Sequence, residues 1–138
     1  MVNRQSRATR RRRRGAALVE FAITAPIIFA IFFAGFEFCR MNIVRHSIDN
    51  AAYEGARRAI IPGATANDAV EAATPVLAVV SIRNQEITVY PPVISTTTEA
   101  VTVTIAVPYN SNSWVPPLFF RDKVLTGTCT LTREQMGR

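Results

Sequence analysis

Between Glu20 and Glu37 the chain reads FAITAPIIFAIFFAGF, sixteen residues without a charge. Only Thr24 and Pro26 dilute its apolar character. Extended back to Gly15, the run reaches Phe36 with one charge inside it, Glu20. A helix that crosses a bilayer needs about 20 apolar residues. A core helix of a globular domain would keep a polar face for water, and this run has none. Residues 16–38 are therefore expected to form a transmembrane helix. Pro26 removes one backbone hydrogen bond from it and favours a kink. A charge inside a bilayer costs about 2.5 to 3.5 kcal/mol on insertion scales. Glu20 is thus either a shallow acid that snorkels to the interface or a residue with a task.

The flanks give the orientation. Arg4, Arg7 and Arg10 to Arg14 supply seven of the sixteen basic residues, and no acid precedes Glu20. The positive-inside rule keeps such an N-terminus cytoplasmic and sends everything after Phe38 outward. A cleaved secretory signal would have a shorter apolar region ending in a small-x-small site, and Phe36-Glu37-Phe38 is a poor cleavage context. Without residues 1–15, nine bases face ten acids, so the high pI belongs to the tail alone. A like-charge block among Asn, Gln, Ser and Thr reads as a disordered tail. A nucleic-acid-binding domain would carry its basic footprint on a folded face, so no nucleic-acid partner is expected.

The helical pattern continues past the membrane. Met41, Val44, Ile48, Ala51 or Ala52, Gly55 and Ala59 recur at steps of three and four, and Asn42, Arg45, Asp49, Asn50 and Arg57 fill the other side. Residues 39–61 are an amphipathic continuation, stopped by Ile60-Ile61-Pro62-Gly63. One helix from Ala16 to Ile61 would be about 70 Å long at ~1.5 Å per residue. Residues 62–138 should form a small extracytoplasmic α+β domain. A second helix is expected from Asn67 to about Val80, capped by Thr65 or Asn67, with Pro75 able to break it. Glu86 to Tyr90, Val101 to Val107 and Leu125 to Thr132 have strand vocabulary, the last two with alternating polar and apolar positions. The stretch from Pro108 to Asp122 reads as a long loop whose Trp114, Leu118, Phe119 and Phe120 pack back onto the domain; an exposed contact patch is the alternative. The fold class is α+β, with the long helix laid across a three- or four-stranded antiparallel sheet. So small a domain is marginal without that helix.

No constellation for catalysis is legible. The single histidine, His46, has no nucleophile at a suggestive spacing and reads as a surface residue. No glycine-rich phosphate loop and no metal-ligand spacing occurs, so neither a cofactor nor a metal is expected, and function should lie in placement and contact. Cys39 and Cys129 both fall outside the membrane; a bridge between helix and last strand, or two thiols packed separately, both fit.

Several blocks taken in order carry a resemblance: Arg14-Gly15-Ala16-Ala17-Leu18-Val19-Glu20-Phe21, Ala25-Pro26, Gly35-Phe36-Glu37-Phe38, and Ala51-Ala52-Tyr53-Glu54-Gly55-Ala56-Arg57. This set resembles the TadE-like pseudopilins, minor pilins of the tight-adherence (Tad, or Flp) pilus and a branch of the type IV pilin superfamily. Tyr53 stands where the family commonly has Arg. The resemblance implies a pilin-like fold, and a prepilin peptidase that cuts between Gly15 and Ala16, removing residues 1–15 as a basic leader. It also implies that Glu20, followed by Phe21, pairs with the new amine of Ala16 during assembly. The implied partners are the peptidase, other pilins or pseudopilins, the pilus assembly platform and the bacterial inner membrane. The outer domain would be periplasmic or extracellular, as part of a surface pilus used in adherence. The alternative is a single-pass anchored protein whose outer domain binds a partner and has no pilus role.

Overall fold

A computed structural model of the protein describes residues 4–133, with side chains described from residue 15 on. The element order is α1 (Arg4–Ala59), α2 (Ala66–Val79), β1 (Glu86–Tyr90), β2 (Ala100–Pro108), a 3-10 turn (Tyr109–Ser111) and β3 (Val124–Thr132). The chain divides into two compact units, Met1–Phe36 and Glu37–Arg138.

In the first unit α1 begins at Arg4, not near Ala16. Arginine is among the better helix formers, and a helix nucleated in the apolar run extends backward at one bond per residue. The arginine side chains and the outermost residues of the expected leader lie outside the described residues. From Leu18 to Phe36 the large apolar side chains are exposed on every side of the helix. By length and composition this helix can cross a membrane. Pro26 lies inside it without ending it. The Thr24 hydroxyl donates to the Glu20 carbonyl at 2.6 Å, so the one polar side chain between Glu20 and Pro26 is satisfied within the helix.

The second unit is an α+β layer. Its three strands pair antiparallel in the order β1-β2-β3. Along β2, Val101, Val103, Ile105 and Val107 are fully buried, and the residues between them are half-buried. The opposite face is threonine-rich, with Thr102 hydrogen-bonded to Thr130 at 2.8 Å and Thr104 to Thr128 at 3.3 Å. The inward face packs with Val44, Ile48, Ala51, Ala52, Ala56 and Ala59 of α1 and with Ala69, Ala73 and Leu77 of α2. Full burial of a Val or Ile side chain contributes about 1.5 to 3 kcal/mol, so these residues are the main source of the unit's stability.

The small residues of α1 serve close approach. A Cβ on Gly55 would lie 3.0 Å from the Ala69 carbonyl oxygen and 3.4 Å from Val103 Cγ1, where α2 and β2 press on the helix. A Cβ on Gly127 would lie 2.6 Å from Ile48 Cγ2, which places the middle of β3 hard against α1.

The helix boundaries follow local chemistry. Past Ala59 the chain turns through Gly63 at φ +84°, a left-handed position that glycine takes without steric cost. Thr65 caps α2, accepting from the Asp68 N–H at 3.3 Å, while the Asp68 carboxylate accepts from the Thr65 N–H at 2.7 Å. Pro75 does not break α2. It stands on the exposed face, and Glu71, whose carbonyl it leaves without a helical donor, is exposed to water as well.

The expectation for the loop after β2 is corrected in the main. Phe120 does pack inward, its ring 6.0 Å from that of Tyr109 in an edge-on arrangement. Trp114, Leu118 and Phe119 are exposed. Packing the loop back would have required apolar surface on the domain, but the elements beneath the loop offer it the polar groups of Glu37 and Arg40.

Candidate functional site

Gly15, Ala16, Glu20 and Phe21 lie on the surface of α1 in the first unit. A separation of four residues puts Ala16 and Glu20 on one face of a helix, about 5–6 Å apart between Cβ atoms. Phe21 points to a different face. Nothing lies within 4 Å of a Cβ built on Gly15.

The cysteines are not brought together. Both are free thiols, Cys39 exposed and Cys129 half-buried beside the core. Burial pushes the Cys129 thiol pKa up.

The most constrained polar group is one that reading the sequence left as a flanking charge. Glu37, the first residue after the apolar run, is only 2% exposed. Its carboxylate accepts three consecutive backbone N–H groups: Leu118 at 3.2 Å, Phe119 at 3.2 and 3.3 Å, and Phe120 at 2.9 Å. Its backbone carbonyl accepts from the Tyr109 hydroxyl at 2.9 Å. Three residues on, Arg40 is 3% exposed, and its Nε donates to the Asn112 carbonyl at 2.8 Å. Its Nη2 donates to the Val80 carbonyl at 3.1 Å, and its guanidinium lies 4.7 Å from the centre of the Trp114 ring. Asn112 completes the clamp. Its amide nitrogen donates to the carbonyls of Arg83 and Pro108, both at 2.9 Å, and its Oδ1 accepts from the Arg83 N–H at 2.7 Å.

Each buried charge here is matched by hydrogen bonds to backbone, and no described buried side-chain nitrogen or oxygen lacks a partner. Burial lowers the Arg40 pKa, against a smaller opposing effect of Tyr109, yet a guanidinium stays charged in proteins. Tyr109 is fully buried, and its pKa is raised by burial first. The arrangement ties the loop after β2 to the start of the second unit.

The sequence signal for this clamp is an acid and a base three residues apart at the end of an apolar run. Their partners stand 72 to 83 residues further along the chain, except Val80, so nothing local announces them.

No curated protein and no solved structure matches the chain. The model of the TadE-like protein family matches residues 15–57. The match begins at the glycine of the expected cut site, contains Glu20 and the Ala-Ala-Tyr-Glu-Gly-Ala-Arg block, and ends at Arg57. Over those residues the chain is similar to the TadE-like family.

Proposed function

We propose that this protein is a minor pilin (pseudopilin) that acts in assembly or at the tip of a Tad-type pilus, for surface adherence. The apolar part of α1 inserts in the bacterial inner membrane with the arginine-rich end in the cytoplasm and the second unit outside. A prepilin peptidase removes residues 1–15 by cutting between Gly15 and Ala16. The observation that carries the reading is the family match starting at Gly15 with Glu20 one helical turn beyond Ala16. Cutting there leaves an ammonium at Ala16 inside the membrane region. The Glu20 carboxylate can neutralise it, in the same chain or in a neighbouring pilin. Each charge alone is costly in lipid, and together they are tolerable. The protein thus works by placement and contact with other pilins and the assembly platform, with no turnover of its own.

The mass of the membrane-bound form tests this. In cells that carry the peptidase the mature chain should begin at Ala16; an N-terminus at Met1 or Val2 would sink the processing claim and leave an anchored protein without a pilus role.

A further inference from the structure

The loop between the 3-10 turn and β3 combines two features that pull against each other. It is fastened by buried, fully satisfied polar bonds to Glu37 and Arg40. It nevertheless displays Trp114, Leu118 and Phe119 at 60, 72 and 62% exposure. Loops that are fixed this firmly usually bury their large apolar side chains; here the fixing holds them out.

The point of attachment says what they are held toward. Glu37 follows Phe36 directly, and Phe36 ends the run that is apolar enough to cross a membrane. The three N–H groups on the Glu37 carboxylate belong to Leu118, Phe119 and Phe120, so two of the three exposed side chains hang from the residues that grip this acid. The third, Trp114, lies against Arg40, one turn further. The loop is therefore fastened to the residue that directly follows the apolar run in the chain. Tryptophan is enriched at membrane–water boundaries because its indole has an apolar body and one polar N–H. A carboxylate at a membrane boundary would ordinarily be left to water. Glu37 is instead solvated by backbone donors, which suits a place where water is scarce. Arg121 and Lys123 follow on the exposed side, with Asp122 engaged by Asn110 at 2.7 Å, so the end of the loop carries a positive excess.

We propose that residues 114–120 are an interfacial anchor: Trp114, Leu118 and Phe119 enter the headgroup region of the outer leaflet. The second unit is then held to the membrane at two points, the helix and the loop, which restricts its tilt. This inference rests on the reading that the apolar run spans the membrane.

Trp114 is the single tryptophan of the chain and reports its own position. The full chain would be reconstituted at low protein-to-lipid ratio in vesicles of phosphatidylcholine and phosphatidylglycerol, with lipids brominated near the carbonyl end or near the methyl end. Flotation would separate vesicle-bound protein first. Floating protein whose emission is quenched by the shallow bromines more than by the deep ones supports the anchor. Leu118→Ser with Phe119→Ser should float and keep the wild-type circular dichroism while losing most of that quenching. Floating protein whose emission ignores both brominated lipids and yields to aqueous iodide would overturn the anchor and leave the span intact. Shielding from iodide seen only at high protein density would assign the patch to another subunit and also overturn it. Failure to float would remove the spanning reading itself, and the anchor with it.

Discussion

Glu20 and Glu37 close the apolar run at its two ends, and the protein treats them in opposite ways. Glu20 lies on the exposed surface of a helix in the first unit, one turn from Ala16. Glu37 is buried in the second unit under three backbone N–H groups. The same contrast runs through the apolar residues. Ile, Leu and Phe of the first unit are exposed on all faces, while Val44, Ile48, Val101, Val103, Ile105 and Val107 of the second are sealed between helix and sheet. Hydrophobicity is shared by both regions. Pattern separates them: an all-round distribution waits for lipid or a neighbouring helix, and a period of two or of 3.6 closes on itself.

The sharpest way to break this comparison is to remove each acid in turn. Glu37→Ala leaves three half-buried N–H groups without an acceptor. At about 1–3 kcal/mol for each unsatisfied group, the second unit should lose about 3 kcal/mol or more. Urea unfolding of the full chain in detergent micelles, read by near-ultraviolet circular dichroism, would show it. Glu20→Ala should leave that unfolding curve where it is, leave insertion and cleavage intact, and impair piliation. A Glu20 variant with normal pili, or a Glu37 variant with an unshifted curve, would put the two acids back on one footing.

Two glycines carry the comparison into packing, with a smaller effect. A Cβ at Gly127 would sit 2.6 Å from Ile48 Cγ2, 2.7 Å from Asp49 Oδ1 and 3.3 Å from the Asp49 backbone nitrogen. Gly127→Ala should therefore cost about 1–3 kcal/mol, the usual range for overpacking. At Gly35 nothing lies within 4 Å of the added carbon. Gly35→Ala should leave the unfolding of the second unit unchanged, since the space around it is open. Equal shifts for the two would mean that α1 does not lie against β3 as described.

How far the sequence reveals this molecule depends on how far apart the cooperating residues stand. The long helix, its change from all-round apolar to one-sided, the stop at Pro62-Gly63 and all three strands follow from periodicities that any short window contains. The cap of α2 was legible as Thr65 or Asn67 for the same reason, and the structure selects Thr65, with Asp68 three residues on. The Gly15-Ala16-Glu20 set was legible as a local motif, and the family match begins on it. The clamp was not legible, because Glu37 and Arg40 find Asn112 and the loop at 118–120 only after the sheet has formed. The exposure of Trp114, Leu118 and Phe119 was legible only as the alternative to burial. Their composition argues for burial, and only the bonds that hold their backbone show that it is withheld.

A third acid, Asp68, marks the weak end of the scale that Glu37 begins. Its carboxyl pKa is lowered, first by the hydrogen bond from the Thr65 backbone and then by the one from the Thr65 hydroxyl. The geometry resembles that at Glu37 in kind, but Asp68 is open to solvent, so water can replace either bond at little cost. A carboxyl whose folded pKa is depressed adds stability above its unfolded pKa, near 4. That contribution declines as pH falls below this value and is gone once pH has passed through the folded pKa. Asp68→Asn should accordingly barely move the unfolding midpoint at neutral pH and should flatten its fall on acidification below about pH 4. Midpoints of the two proteins measured in parallel between neutral and acid pH would show a small gap that closes as the wild-type carboxyl is protonated. A gap that widens instead would reverse the sign of the linkage and remove the cap's charge from the account of α2.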